Sequence, residues 1–246
     1  MTSDDWSSEE YNEEVGEDEF EEIDEMELLR ILDQEQDPLD VCRSLFTGIE
    51  LPEHLKDLLK TGLVVMNDVF TTEECISYEK EAMEYLNSSK MTPASQYRLE
   101  DDPLRSRTAR EDLICWLSEN TSGSLQSLVS KVVEIRNTLS KYVKLNGENE
   151  FQLAYYPPGI KGYETHRDSF PAGDEDTEQR RLTMIIYINT HNWTPKDGGQ
   201  LRIHRKGIEQ DILPTASRAV IFLSGVVDHQ VLPTTKDRFA MTCWMK

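Results

Sequence analysis

His166 and Asp168 stand two residues apart in GYETHRD, a run whose Gly, Tyr and Thr suit a short strand. In extended chain, residues two apart share a face, so an imidazole and a carboxylate are directed to one point. Two histidines and one carboxylate on one face of an octahedral ferrous ion leave three positions open. Activation of oxygen beside a chelating co-substrate requires that arrangement. The spacing supplies two ligands and leaves the third to be found. Of the other four histidines, His54 falls in an expected helix, His191 in a turn and His204 at a strand end, which suits surface or supporting roles. His229 lies in DHQVLP, a β-type run, well beyond Asp168.

The last run, RFAMTCWM, has two faces that read separately. Phe239, Met241, Cys243 and Met245 form an ordinary core face. Arg238, Ala240, Thr242 and Trp244 form the other, which suits either an exposed edge or the lining of a cavity. A Trp beside an Ala favours the cavity, and a guanidinium there can hold a carboxylate through two parallel hydrogen bonds. RLTMIIYIN divides likewise, with Leu182, Met184, Ile186 and Ile188 opposite Thr183, Ile185 and Tyr187. Tyr187 is either a core tyrosine with a satisfied hydroxyl or a second donor to the anion that Arg238 would bind.

The elements that must position these groups follow from pattern. From Phe151 onward, short β-rich runs separated by Gly, Pro, Asp and Asn (FQLAYY, GYETHRD, RLTMIIYIN, GQLRIH, RAVIFLS, DHQVLP and RFAMTCWM) imply seven or eight strands. Helical signals dominate upstream, in PLDVCRSLF, LPEHLKDLL, ECISYEKEAMEYLNSS and SLQSLVSKVVEIRNTLSKYV, with Thr71 and Glu74 as a capping box. Strands are expected at GLVVMNDVF and DLICWL, and a long loop at about 91–111, of the kind that forms lids. The fold class is therefore α+β, an antiparallel sandwich or jelly roll, buttressed by N-terminal helices. The helical support is expected over 41–146 and the jelly-roll core mainly over 147–246.

Charge separates off the N-terminus. Residues 1–40 hold 18 Asp or Glu and one basic residue, Arg30, so they carry most of the formal charge of −21. Dense like charge with few apolar residues cannot offset chain entropy, so residues 1–22 or so are expected to be disordered. A short amphipathic helix is expected in IDEMELLRILDQ, with Met26, Leu29 and Leu32 as its apolar stripe. It would either dock on the domain or serve a partner, and the sequence does not identify one. The acidic balance argues against a nucleic-acid ligand, which needs clustered Lys and Arg. No apolar run nears the roughly 18 residues of a membrane span. Cys42, Cys75, Cys115 and Cys243 are scattered without a CxxC pair, which suits reduced thiols in cytoplasm or nucleus.

The order YYPPGIKGYETHRD, RLTMIIYIN, GGQLRI, DHQVLPTTKDRFAMTCW resembles the catalytic core of the prolyl 4-hydroxylases, over roughly residues 60–246. Arg110, Asp112, Ile114 and Trp116, as RxDxIxW, are similar to the cytosolic oxygen-sensing branch. That branch modifies hypoxia-inducible factor or, in protists, the Skp-type adaptor of ubiquitin ligases. The resemblance implies a double-stranded β-helix, iron ligation by His166, Asp168 and His229, and 2-oxoglutarate held by Arg238 and Tyr187. It places Tyr156 at the end of the co-substrate nearest iron and Thr183, Leu201, Thr242 and Trp244 along the pocket. Arg110 and Asp112 would help fix the loop that closes over substrate. The implied cofactors are Fe(II), 2-oxoglutarate and O2, with ascorbate as reductant, and the implied partner is a protein carrying the target proline. PAGDEDTEQR, at 171–180, looks longer and more acidic than in the animal relatives and is expected near the substrate entrance. An oxygenase with another target, or a catalytically dead jelly roll that only binds, are the rival readings.

Overall fold

The computed structural model of the 246-residue chain describes residues 24–94, 110–176, 178–190, 192–205 and 208–246. The disorder expected of the first 22 residues, most of the expected lid loop and the turn holding His191 lie outside the described residues.

Helix α1 spans Glu25–Glu35, capped by Asp24, whose side chain accepts from the Glu27 amide. Leu29 is buried on the domain, but Leu32 is exposed, so the expected stripe narrows to one anchoring leucine with Met26 half-buried. PLDVCRSLF and LPEHLKDLL give only short pieces: α2 (Pro38–Val41), α3 (Lys56–Thr61) and 3₁₀ turns before or after them. α2 buries no side chain fully and the others one or two each, and Gly62, at φ +74°, ends α3 in the left-handed cap that glycine adopts without strain. Strand β1 is Leu63–Met66, and α4 (Thr72–Asn87) opens on the expected capping box of Thr71 and Glu74.

Strands β2 (Thr92–Pro93) and β3 (Leu113–Leu117) precede α5 (Ser124–Leu139). Then come β4 (Asn149–Tyr156), β5 (Tyr163–His166), β6 (Leu182–Tyr187), β7 (Leu201–Arg205) and β8 (Ile208–Ile212). The chain ends in β9 (Ala219–Leu223), β10 (Asp228–Val231) and β11 (Arg238–Met245). They form an antiparallel seven-stranded sheet, β1-β9-β6-β11-β4-β3-β2, and a four-stranded sheet, β5-β10-β7-β8. This is the expected jelly roll.

Phe239, Met241, Cys243 and Met245 are completely buried, as their face predicted. They share one core with Cys75, Tyr78 and Ala82 of α4 and Leu125, Leu128, Val129 and Val132 of α5. The helices therefore buttress the larger sheet and leave its other face to the cavity described below. All four cysteines are unbridged. Among the described residues no helix is long and apolar enough to cross a membrane.

Two elements differ from expectation. Strand β8, IEQDI, carries Glu209, Gln210 and Asp211 on an edge, and charge on an edge strand hides the apolar alternation. Strand β5 ends at His166, so Asp168 lies past the strand and the shared-face argument does not place it.

Candidate metal centre and anion pocket

His166 closes β5 and pairs directly with His229 on β10. Asp168, two residues past the strand end, is brought back by a hydrogen bond from Thr183 on β6. Thr183 Oγ1 lies 2.7 Å from Asp168 Oδ2 and 2.9 Å from Ser224 Oγ. The Thr hydroxyl has one proton, which goes to the carboxylate, so Ser224 donates to Thr183. Asp168 Oδ1 is 3.7 Å from His166 Nε2 and Oδ2 is 3.9 Å from His229 Nε2, too long for hydrogen bonds. One donor atom from each of the three residues lies within 4.8 Å of the others.

The imidazoles are set from behind. Nδ1 of His166 donates to the Glu164 carbonyl at 2.8 Å, and Nδ1 of His229 to the Val227 carbonyl at 3.1 Å. Both rings thereby carry the proton on Nδ1 and turn an Nε2 lone pair inward, the arrangement that orients metal-ligating histidines. Tyr163 stacks on His166 with centroids 3.7 Å apart, and Phe222 packs on His229. Burial, with the facing His229 adding to it, pushes His166 down to about 3, so it is neutral at physiological pH. Burial opposes ionisation of Asp168, but the facing His229 and His166 and the Thr183 hydroxyl outweigh it and hold the carboxyl below its usual value. One carboxylate beside two imidazole nitrogens suits a divalent cation.

Thr183→Val keeps the side-chain volume and removes the donor to Asp168. The expected result is roughly tenfold weaker Co(II) uptake, the lower end of what supporting partners of metal ligands contribute. Stability should also fall by about 1–3 kcal/mol, because Ser224 keeps a buried hydroxyl without its acceptor. A Co(II) titration and a denaturant melt of the same variant check both.

The register of the larger sheet builds the rest. Arg238 pairs with Tyr156, Ala240 with Ala154 and Thr242 with Gln152 across β11 and β4. On the other side Ala240 pairs with Tyr187, Thr242 with Ile185 and Trp244 with Thr183. Two alanines side by side among large residues make the hollow. Arg238, Ala240, Thr242 and Trp244, the whole polar face of β11, line one cavity together with His166, Asp168, His229, Tyr156, Leu201 and Arg110. The cavity is narrow, about 40 Å³.

Arg238 is 1% exposed, and its Nε donates to the Gly199 carbonyl at 2.8 Å. Its guanidinium carbon sits 4.7 Å from the Tyr156 ring centre and 5.2 Å from that of Tyr187. Among the described residues, neither Arg238 Nη1 nor the Tyr187 hydroxyl has a hydrogen-bond partner, though both are buried. Buried donors without acceptors are rare and costly. Burial raises the Tyr187 phenol's pKa and Arg238 opposes that rise, so the phenol stays protonated as a donor. An uncompensated buried cation beside a protonated phenol is the donor set that a carboxylate completes, so these residues fit an organic anion.

Arg110 enters from the opposite side. Fully buried Asp112 holds it bidentately, at 2.7 and 2.5 Å, and Gln152 accepts from it at 3.2 Å. Its guanidinium lies over the Tyr163 ring that stacks on His166. Trp244 carries Arg180 on its face at 4.1 Å, so the acidic segment 171–180 reaches the cavity wall through its last residue. One acid of that segment is paired: Asp174 meets Lys144 at 2.6 Å and Arg181 at 3.4 Å, while Glu175 and Glu178 are exposed.

His54 is exposed in a 3₁₀ turn, and His204 hydrogen-bonds near Thr165 outside the cavity lining. The sequence reading missed Tyr163, Gln152 and Ala154. Gln152, Ala154 and Tyr156 alternate along FQLAYY as the lining residues of β11 do, and splitting that run into faces would have found them.

The family model described as 2OG-Fe(II) oxygenase superfamily matches residues 151–246. Human Egl nine homolog 1 is 30% identical over 194 residues, which cover 75% of this chain and 44% of that protein. The chain thus spans less than half the length of that relative. A prolyl-4-hydroxylase of Pseudomonas putida superposes with a TM-score of 0.66 at 27% identity, covering 78% of this chain and 97% of that one. A Trichoplax adhaerens prolyl hydroxylase, solved with a peptide of the oxygen degradation domain of hypoxia inducible factor, gives the same TM-score at 22% identity. It covers 78% of this chain and 86% of the other. Residues 151–246 of this chain are a domain of the 2OG-Fe(II) oxygenase superfamily.

Proposed function

We propose that the chain is an Fe(II)- and 2-oxoglutarate-dependent prolyl 4-hydroxylase whose iron is held by His166, Asp168 and His229. The carrying observation is one cavity that joins this triad to Arg238, a buried cation with an unpartnered nitrogen, whose guanidinium lies 5.2 Å from the ring of Tyr187 behind the cavity wall. Arg238 and Tyr187 would hold the distal carboxylate of 2-oxoglutarate, with Tyr156 toward its iron end and Thr183, Leu201 and Thr242 along its length. Leu201 and Thr242 line the cavity, whereas Thr183 stands behind Asp168. When bound, Fe(II), 2-oxoglutarate and O2 supply the oxidation, yielding succinate, CO2 and a hydroxylated substrate, with ascorbate as supporting reductant. The protein orients the groups and excludes water.

Arg110 and Trp244 would meet the protein substrate, while Asp112, fully buried and off the cavity wall, can act only by fixing Arg110. Arg110 is rigid against Asp112 and Tyr163, and Trp244 offers an aromatic wall at the cavity. The target would be a proline of a cytoplasmic or nuclear protein, either a factor related to hypoxia-inducible factor or a Skp-type adaptor. Support comes from the human relative and the peptide bound by the Trichoplax enzyme, together with RxDxIxW. We divide the chain into an acidic segment, 1–40, and a dioxygenase domain, 41–246.

Two measurements test this. Anaerobic addition of Fe(II) and 2-oxoglutarate should give the weak visible charge-transfer band of a chelated keto acid, and its absence in folded protein would sink the enzymatic reading. Proline-containing peptides of the two candidate classes should then gain the mass of one oxygen atom at proline and raise succinate formation. If neither does, the substrate assignment is wrong while the co-substrate assignment stands.

A further inference from the structure

Arg167, between His166 and Asp168 in the chain, points away from the cavity and is 3% exposed. Its guanidinium is shared by two carboxylates. Nε donates to Asp228 Oδ1 at 2.7 Å and Nη2 to Asp228 Oδ2 at 3.1 Å; Nη1 and Nη2 reach Asp33 at 3.0 and 2.7 Å. Nη1 also donates to the Gly225 carbonyl at 3.4 Å. One buried cation thus ties the backbone between two members of the triad to the turn 225–228. That turn ends beside His229 and contains the Val227 carbonyl that sets the His229 ring.

The other end of the clamp is remote in sequence. Asp33 belongs to α1, one turn after Leu29, the only residue of α1 that is fully buried. A cavity of about 620 Å³, lined by Asp33, Arg167, Asp228, Lys60 and Val226, lies beside this contact. Leu29 buries the helix on the domain and Asp33 ties it to Arg167. Bidentate arginine pairs fix geometry as well as charge. Removing one of two carboxylates from a buried guanidinium leaves it under-compensated and free to shift.

We propose that Asp33 is a positioning residue for the metal centre: through Arg167 it holds the turn 225–228, so docking of α1 tightens the His229 side of the triad. This rests on the reading of His166, Asp168 and His229 as metal ligands. It also makes metal retention depend on α1, a segment outside the matched domain.

The test uses the full chain with Asp33→Asn, Leu29→Ala and, as a control of equal charge, Glu35→Gln on exposed α1 surface. Co(II) is titrated by its visible spectrum, and amide exchange of 225–229 is read by mass spectrometry. Asp33→Asn should weaken Co(II) binding roughly tenfold, as changes to supporting partners of metal ligands do, and should alter the Co(II) spectrum. It should also speed exchange at 225–229 while β4 and β11 exchange as before. Leu29→Ala should move both readouts in the same direction, and Glu35→Gln neither. Unchanged affinity and exchange in Asp33→Asn, or an equal effect from Glu35→Gln, overturns the proposal. If the unaltered chain takes up no Co(II), the metal reading fails. Exchange at 225–229 then decides the clamp alone: faster exchange in Asp33→Asn sustains it and unchanged exchange overturns it.

Discussion

Asp168→Ala protein should bind Co(II) or Fe(II) at least about 100-fold more weakly than the unaltered chain and show no turnover, while keeping its fold. The size follows from position: altering mere supporting partners already costs 10–100-fold in affinity, and Asp168 is the sole anion of the triad. Fold retention follows from the same geometry. The carboxylate is nearly buried, and neither imidazole is within hydrogen-bonding distance of it, so its removal relieves a desolvation cost. Thr183 keeps its bond with Ser224. Metal titration and a melting curve on one preparation decide between outcomes. Native-like Co(II) affinity would remove Asp168 from the site. Global unfolding would indicate that the metal stabilises the structure.

The route from sequence to this site was uneven. His-x-Asp drew attention through the period of a strand, yet the strand stops at His166 and Asp168 is placed by Thr183 on a different strand. The structure brings His166 and Asp168 together, but not by strand alternation, because strand length depends on partners that one-dimensional spacing does not contain. The face reading of RFAMTCWM succeeded for a physical reason. A central strand buried on both sides must encode two different environments, and Arg238 with Ala240 and Thr242 matches a cavity while Phe239 and Met241 match a core. RLTMIIYIN is similar, but all its members are buried, so Thr183 and Tyr187 stand out only by their hydroxyls.

What stayed illegible is long-range or charged. Asp33 and Arg167 are separated by most of the chain, and each alone reads as an ordinary surface group. Strand β8 is concealed by its edge charges, and the expected stripe of α1 overstated its docking because Leu32 faces outward. Segment 171–180 reads only as acidic, and nothing in that pattern shows that Asp174 pairs with Lys144 and Arg181. Pattern shows which face of an element is apolar. It does not show which charges find each other.

Arg238→Met offers the sharpest separation of function from stability. The Arg238 guanidinium is buried against two aromatic faces and one carbonyl, and among the described residues one of its nitrogens has no acceptor. A buried charge in that state is destabilising, and an unbranched apolar side chain of similar length relieves the penalty. The ligand-free variant should therefore melt no lower than the unaltered protein, and higher if the relief exceeds the lost Gly199 bond. Affinity for 2-oxoglutarate should move the opposite way. Truncating one partner of a buried, hydrogen-bonded charge pair costs about 2–5 kcal/mol, or from roughly 30-fold to a few thousandfold in Kd. Metal binding should change little, since Arg238 hydrogen-bonds none of the triad. Calorimetry with 2-oxoglutarate and Co(II), beside a thermal melt, reads all three quantities. A variant that loses stability and keeps its 2-oxoglutarate affinity would show Arg238 to be a structural cation. The opposite pattern requires a site whose strain is relieved by an anion, because only a ligand's negative charge explains why the fold keeps a cation buried there.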